Sequence, residues 1–301
     1  MGVRYLLFVP EGPIGKDLNA KVGSPPMASL IMVLGGVQEG AGKTTIAKAI
    51  CGALAKKYQV QFCKPISGHN FWYHYDHFIT CASERQLFSR DAHEVRGVLS
   101  LTTPIEIINP IDCLFSPVMY ERSSLGSRST KPVLERFTTI SGGVAKNIYL
   151  KLGPRDLSST IVPPKDLTQL ISGAAEVREP GDWRAVEESL VDEAITSCLD
   201  FLKTGSDIVC VEGHDDRCPV MDDDLSLVAI AAPGHLSFYD GGEFRDGFYS
   251  ILNIRAEVNT RDVLPIIKPL ESYSIGPMIS GDVDKITNFK KGVSDILSNF
   301  F

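Results

Sequence analysis

The stretch that decides the fold is Ser29–Thr45, which reads SLIMVLGGVQEGAGKTT. Leu30–Leu34 is an unbroken apolar run, and such runs are typical of parallel strands that are buried on both faces. After a glycine-rich turn, residues 44–58 carry apolar side chains at helical spacing, and residues 60–63 read as a second strand that stops at Lys64-Pro65. Strand, helix and strand within about 35 residues predict a βαβ unit.

The turn between this first strand and helix has the composition of a phosphate-binding loop. Phosphate binding needs backbone N–H groups that can approach closely, which glycines permit, and the partial positive charge of a helix N-terminus. We expect Lys43 to reach the β- and γ-phosphates and the Thr44 hydroxyl to help hold Mg²⁺. The strict spacing fails by one position, because Val37 stands where the first glycine is usual and Gly36 lies one residue further back.

The alternative interpretation of this turn is a glycine loop that merely starts a helix, with Lys43 in solvent. We favour nucleotide binding, because the sequence Gly-x-Gly-Lys-Thr-Thr between an apolar strand and a helix rarely has another reason. The residues expected to contact the nucleotide are Gly36, Gln38, Glu39, Gly40, Ala41, Gly42, Lys43, Thr44 and Thr45.

The rest of the chain continues the alternation of strands and helices. The pattern predicts an amphipathic helix over 184–203, a buried strand over 207–212, an apolar strand over 225–232 and a helix near 286–300. The fold class that we predict is therefore α/β, with a doubly wound, mostly parallel sheet that has helices on both faces. Residues 27–301 are expected to form one elaborated domain, and residues 1–26 a poorly ordered extension or, as the alternative, an edge segment.

The longer loop spacing resembles the phosphate loop of dethiobiotin synthetase, which belongs to the P-loop branch of MinD-like and nitrogenase-iron-protein-like ATPases. Many members of that branch carry a signature lysine five residues before the loop lysine. Gln38 stands there in this chain, as fits a dethiobiotin-synthetase-type loop, which also lacks it. Further stretches that resemble the family, in the same order, are Lys64-Pro65, Ser89-Arg90-Asp91-Ala92, Asn109-Pro110 with Ser116-Pro117, and Val211-Glu212-Gly213.

This resemblance implies a P-loop NTPase fold with ATP and Mg²⁺ as ligands, and it suggests a homodimer. By the same resemblance, Lys64 joins Lys43 in stabilising the transferring phosphoryl group, and Asp91 and Glu212 join Thr44 at the Mg²⁺. Asn259 would contact the adenine base.

Three departures from the family limit what the resemblance implies about the substrate. Val37-Gln38-Glu39 replaces a small Thr-Asp-Thr segment, and His214-Asp215-Asp216-Arg217 replaces a glycine-rich turn. A stretch near 120–180 is inserted between the matched blocks. The nucleotide chemistry therefore carries over, whereas the diamine substrate of the family does not.

Several of these residues have an alternative interpretation. Lys64 fits a surface lysine, Asp91 a helix cap, and Glu212 an ordinary polar end of a strand. Asn259-Thr260-Arg261-Asp262 also resembles the element with which GTPases read guanine, so GTP stays open beside ATP. His214-Asp215-Asp216 fits either a general base or a solvated acidic turn.

The segment from His69 to His77 has the most unusual local composition of the chain. Its three histidines and Asp76 are residue types that ligate transition metals. No cysteine or histidine pair elsewhere shows a recognised metal-site spacing, and the aromatic residues between the histidines suit a packed lid. We therefore favour a substrate-facing aromatic segment over a metal site.

Composition excludes several classes of protein. The chain has 301 residues, of which 44% are hydrophobic, and a net charge of −7, a balance that is ordinary for a globular protein. The acidic balance argues against nucleic acid or an anionic membrane as a partner, and no apolar run is long enough to suggest a membrane span. Seven scattered cysteines without a CxxC pair indicate free thiols and a reducing, cytoplasmic compartment.

Together these observations predict an enzyme, either an ATP-dependent ligase or a phosphotransferase, that acts on a small carboxylate or amine. The alternative is a nucleotide-dependent switch ATPase or GTPase that acts through a protein partner. A nucleotide sensor without turnover is a third interpretation.

Overall fold

The computed structural model describes residues 28–38, 40–119, 130–218, 222–255 and 257–276, together with Leu297 and Phe300. The predicted extension over 1–26 and loop residue Glu39 lie outside the described residues, and so does the helix predicted near 286–300 apart from Leu297 and Phe300. No helix in the described part of the chain is long and apolar enough to cross a membrane.

The described residues form strands and helices in alternation. In chain order the strands are β1 (Ser29–Gly35), β2 (Val60–Cys63), β3 (Ile66–Asn70), β4 (Ile111–Pro117), β5 (Thr130–Ser141), β6 (Val144–Lys151), β7 (Glu176–Arg178), β8 (Ile208–Glu212), β9 (Leu225–Ala232), β10 (His235–Asp240) and β11 (Glu271–Ser274). The helices are α1 (Lys43–Leu54), α2 (Tyr75–Ser83), α3 (Arg90–Leu99), α4 (Ile105–Ile108), α5 (Pro154–Leu157), α6 (Pro164–Leu170), α7 (Trp183–Lys203), α8 (Gly241–Leu252) and α9 (Thr260–Val263). The α/β class is thereby confirmed.

The chain divides into two compact units. The first unit comprises the described residues of Leu6–Phe62 and Leu202–Phe301, and the second comprises those of Cys63–Phe201. Each unit contains one sheet. The single domain that we predicted over 27–301 stays a prediction, but the stretch near 120–180 is more regular than an inserted loop, because it supplies three strands of the second sheet.

The first unit contains a six-stranded sheet in the order β11-β10-β9-β1-β8-β2. The central strand β1 pairs parallel with β8 and with β9, whereas β10 pairs antiparallel with β9 and β11. Every residue of β1 after Ser29 is buried, and so is every residue of β8. The prediction that these two apolar runs are strands buried on both faces is confirmed.

The second unit contains a five-stranded sheet in the order β3-β4-β5-β6-β7. The outer pairs β3–β4 and β6–β7 are parallel, and the inner pairs are antiparallel. Strands β5 and β6 form a hairpin around Gly142 and Gly143, which have φ values of 59° and 78°. Positive φ at both central residues is the requirement of a tight two-residue turn. The described residues thus form two mixed sheets instead of the single sheet that we expected, and their strand pairing is compatible with the doubly wound fold that we predicted.

The second unit also buries a carboxyl group on α7. Glu187 is 6% exposed, and its Oε1 makes no hydrogen bond within the described part of the chain. Burial raises the pKa of Glu187 to about 7; Arg184 lowers this pKa and Glu188 raises it. A carboxyl whose pKa is higher in the folded than in the unfolded state holds its proton longer when folded, so the folded state loses stability as the pH rises towards 7.

We predict that Glu187→Gln stabilises the protein at pH 8 by about 1–3 kcal/mol and has little effect near pH 4, where both states carry the proton. The measurement is urea unfolding of wild type and variant at the two pH values. Glu188→Gln is the matched control, because Glu188 is exposed and should change the free energy of unfolding much less at pH 8. If the two substitutions changed the free energy of unfolding equally at pH 8, burial would not be the cause of the raised pKa of Glu187.

Candidate functional site

The candidate site lies in the first unit, where β1 and β8 end side by side. Val33 pairs with Glu212, and the N–H of Gly213 donates to the carbonyl oxygen of Val33 at 2.9 Å. Because the two strands are parallel, their carboxyl ends meet at one edge of the sheet, and this edge is where open α/β sheets bind ligands.

The loop that follows β1 is shaped by glycines in the left-handed region. Gly40 has a φ of 68° and Gly42 a φ of 83°, and Ala41 between them is buried. Gly42 is the N-cap of α1 and makes no side-chain cap hydrogen bond. The first turn of α1 therefore presents N–H groups that its N-cap does not satisfy, and these are the groups that bind anions at helix N-termini.

The side chain of Lys43 folds back over the start of the loop. A Cβ atom placed on Gly35 would lie 3.1 Å from Lys43 Nζ, 2.7 Å from the carbonyl oxygen of Val37 and 2.8 Å from that of Asp215. Only glycine fits at this position. The loop spacing does not predict this role of Gly35, because it arises from tertiary contacts.

The structure brings together two of the predicted metal ligands, Thr44 and Glu212. Thr44 Oγ1 donates to Glu212 Oε1 at 3.0 Å, and Glu212 is fully buried. Burial of a charge without compensation costs several kcal/mol, so this carboxylate is not an ordinary polar end of a strand. A hydroxyl and a carboxylate are hard oxygen donors of the kind that Mg²⁺ prefers.

The segment after Glu212 connects the loop to Asn259. The carbonyl oxygen of Asp215 faces Gly35, and the carbonyl oxygen of Asp216 accepts from the N–H of Thr260 at 2.7 Å. Arg217 and Asn259 form an isolated antiparallel bridge. The predicted base-contacting residue is therefore held by the same segment that packs against the loop.

Asn259 and Asp262 begin the short helix α9. The N–H of Asn259 donates to Asp262 Oδ2 at 2.9 Å, and Asp262 Oδ1 lies 3.0 Å from Arg255 Nη1. Both oxygens of Asp262 are thus engaged within the protein. This arrangement favours a capped polar turn over a guanine-reading aspartate.

The remaining loop residues have more varied surroundings. The N–H of Gly36 donates to the carbonyl oxygen of Ala231 at 2.9 Å and so belongs to the β1–β9 pairing. Gln38 and Gly40 are exposed, and Thr45 in the first turn of α1 is half-buried.

Lys64 and Asp91 lie in the second unit, where they bind each other. Lys64 Nζ is 2.5 Å from Asp91 Oδ2, and the exposed fraction of the lysine side chain is 7%. Lys64 is therefore not a surface lysine. Asp91 is not the cap of α3 either, because Ser89 Oγ accepts the N–H of Ala92.

The Asn109 side chain holds the two segments that carry this ion pair. Its Nδ2 donates to the carbonyl oxygen of Lys64 at 2.8 Å, and its Oδ1 accepts from the N–H of Ser89 at 2.8 Å. The end of β2 and the start of α3 are thereby fixed together. That Lys64 and Asp91 join Lys43, Thr44 and Glu212 around one nucleotide stays a prediction.

The residues of the His69–His77 segment have different surroundings, and they do not all converge on one site. His74 Nδ1 accepts from the N–H of Asn70 at 3.1 Å, and Asp76 pairs with Arg90 at 2.7 Å. Trp72 and Tyr73 between the histidines are exposed. His69 and His77 are buried, and their surroundings are described further below.

No family model, curated protein or solved structure matches this chain.

We predict that Gly35→Ala lowers the free energy of unfolding by on the order of 1–3 kcal/mol, as overpacking does in tightly packed regions. Gly36→Ala is the matched control, because a Cβ atom there makes ordinary contacts at 3.4–3.7 Å with Ala232, Ile230 and the carbonyl oxygen of Ala231. Urea unfolding of both variants gives the comparison. If Gly35→Ala is as stable as Gly36→Ala, the close approach of the Val37 and Asp215 carbonyl oxygens to Gly35 is wrong.

Proposed function

We propose that this chain is a Mg²⁺-dependent, nucleotide-binding enzyme of the P-loop type, with ATP bound at residues 36–45. The reaction that we propose is that of an ATP-dependent ligase or phosphotransferase acting on a small carboxylate or amine. The observation that carries the proposal is the hydrogen bond from Thr44 to the buried Glu212 at the N-terminus of α1.

The loop supports phosphate binding through three features that act together. Gly40 and Gly42 place backbone in the left-handed region, α1 begins without a side-chain cap, and Lys43 brings a positive charge back over the loop. Backbone N–H groups, a helix dipole and an ammonium group all favour bound negative charge. The same groups would stabilise charge on a phosphoryl group during transfer.

Thr44 and Glu212 are the residues that would hold Mg²⁺. Their oxygens already lie 3.0 Å apart, and Mg²⁺ sites commonly use one or two protein groups with phosphate oxygens and water. When bound, the ion would neutralise charge on the β- and γ-phosphates. Glu212 would keep the Thr44 hydroxyl oriented towards the loop.

Lys64 and Asp91 enter the proposal through the resemblance to dethiobiotin synthetase. Their contribution in this chain is a buried cation whose position is set by Asp91 and Asn109. The role of Lys64 beside Lys43 in stabilising the transferring phosphoryl group stays a prediction. ATP is the nucleotide that we favour, because both carboxylate oxygens of Asp262 are already engaged.

We predict that Lys43→Ala weakens binding of ATP by roughly 10- to 100-fold, the loss expected for one hydrogen bond to a charged group. Isothermal titration calorimetry with ATP and GTP, each with and without Mg²⁺, gives the affinities. Lys57→Ala is the matched control, because Lys57 is an exposed lysine just after α1.

In the same titrations Glu212→Gln should remove most of the gain in ATP affinity that Mg²⁺ gives the wild type and leave Mg²⁺-free binding almost unchanged. Unchanged affinity in Lys43→Ala would overturn the phosphate loop. An unchanged Mg²⁺ dependence in Glu212→Gln would overturn only the metal assignment, and stronger binding of GTP would overturn the choice of ATP.

For turnover we expect ADP release to rise at least tenfold when the correct small amine or carboxylic acid is added. The measurement is a coupled ADP assay across a panel of such acceptors, with Glu212→Gln as the inactive control. Slow hydrolysis that no small acceptor stimulates, but that a protein partner accelerates, would contradict the ligase and support the switch.

A further inference from the structure

Three metal-ligating side chains of the second unit converge outside the site described above. His69 comes from β3, and His77 and Cys81 come from α2; all three are buried. One nitrogen of each histidine and the sulfur of Cys81 lie within 4.8 Å of one another. We propose that His69, His77 and Cys81 form a Zn²⁺ site that links β3 to α2.

The spacing of the donor atoms is close to that of a tetrahedral zinc site. Zn–N bonds of about 2.0–2.1 Å and Zn–S bonds of about 2.3 Å give a nitrogen–sulfur separation of roughly 3.6 Å. Cys81 Sγ lies 3.6 Å from His77 Nε2. The rings of His69 and His77 have their centroids 4.9 Å apart, and the donor atoms of all three residues already lie within 4.8 Å of one another.

His69 lies against a buried carboxylate, which is the usual neighbour of a zinc-bound histidine. Its Nδ1 lies 3.1 Å from Asp112 Oδ2, and the other oxygen of Asp112 accepts from Ser67 Oγ at 2.5 Å. A carboxylate on one nitrogen of an imidazole fixes the ring and leaves the other nitrogen for the metal. Both ring nitrogens of His69 are buried, and neither makes a hydrogen bond within the described part of the chain, so Asp112 approaches Nδ1 as an ion-pair partner and Nε2 has no partner.

His77 and Cys81 are separated by one helical turn and face the same side of α2. The carbonyl oxygen of Phe88 lies 2.6 Å from His77 Nε2 and 3.6 Å from Cys81 Sγ. Without metal, His77 Nε2 donates its proton to this carbonyl. Zn²⁺ binding would release one proton from His77 Nε2 and one from the Cys81 thiol to solvent, and the Phe88 oxygen or a water would fill the fourth position.

The donor types select the metal. Two imidazoles and a thiolate suit Zn²⁺, whereas Mg²⁺ and Ca²⁺ prefer oxygen donors. His74 and Asp76 are not part of the set, since they bind Asn70 and Arg90 instead. Composition drew attention to the segment from His69 to His77, for which we favoured a substrate-facing role over a metal site, and it missed Cys81, whose signal is its helical spacing of four residues from His77.

The experiment uses the full chain, stripped with a chelator and then titrated with Zn²⁺ and, separately, with Co²⁺. We expect one tightly bound zinc per chain, a higher melting temperature with zinc, and a thiolate-to-cobalt charge-transfer band in the ultraviolet. Cobalt binding without that band, or no tight zinc binding to the wild type, overturns the proposal even if every variant fails to fold.

Cys81→Ala and His69→Gln should each weaken zinc binding by at least tenfold, and Asp112→Asn by roughly 10- to 100-fold, as carboxylate partners of ligating histidines do. Cys113→Ala is the matched control, because it removes another buried thiol of the same unit and should keep zinc affinity. Equal zinc affinity in folded Cys81→Ala and Cys113→Ala overturns the assignment. The proposal does not depend on nucleotide binding, so either one can fail alone.

Discussion

The parallel pairing of β1 with β8 is the constraint on which the candidate nucleotide site depends. Its register places Val33 opposite Glu212, so the last residue of β8 lies beside the first turn of α1 and accepts from Thr44. A slip of one residue would turn the Glu212 side chain to the other face of the sheet. The apolar residues of both strands are buried, and this burial makes such a slip costly.

Buried charge is the second feature that shapes both units. Glu212 in the first unit and Asp112 in the second are both fully buried, and Lys64 is nearly so. Each is held by a specific polar partner: Thr44, His69 and Asp91 respectively. Because apolar residues often stabilise an interior at least as well as an ion pair does, stability alone does not account for these groups. Their fixed geometry is what a site that binds ligands requires.

The sequence predicts those features that depend on residues close together in the chain, and it does not predict those that depend on contacts between distant segments. Strands β1 and β8 follow from unbroken apolar runs, and helices α1 and α7 follow from apolar side chains at helical spacing. That Thr44 lies near Glu212 was implied only by the resemblance to dethiobiotin synthetase. The second sheet was missed because its inner pairs depend on the hairpin at Gly142-Gly143, which lies in a stretch that shows little periodicity. The role of Gly35 depends on tertiary contacts with Val37, Asp215 and Lys43. The role of Cys81 depends on α2 placing it one turn after His77. Neither role could be predicted from the motif spacings that we considered.

The two proposed sites differ in donor chemistry, and this difference allows them to be loaded separately. Thr44 and Glu212 offer oxygen only, which suits a hard ion that keeps water and phosphate in its shell. His69, His77 and Cys81 offer nitrogen and sulfur, for which Mg²⁺ competes poorly even when it is abundant. Zinc bound at the proposed site of the second unit is therefore expected to persist at the Mg²⁺ concentrations that the proposed nucleotide site would need. A chelator that strips zinc should lower the stability of β3 and α2 without removing the phosphate loop, because the loop is built from backbone geometry and needs no metal to form.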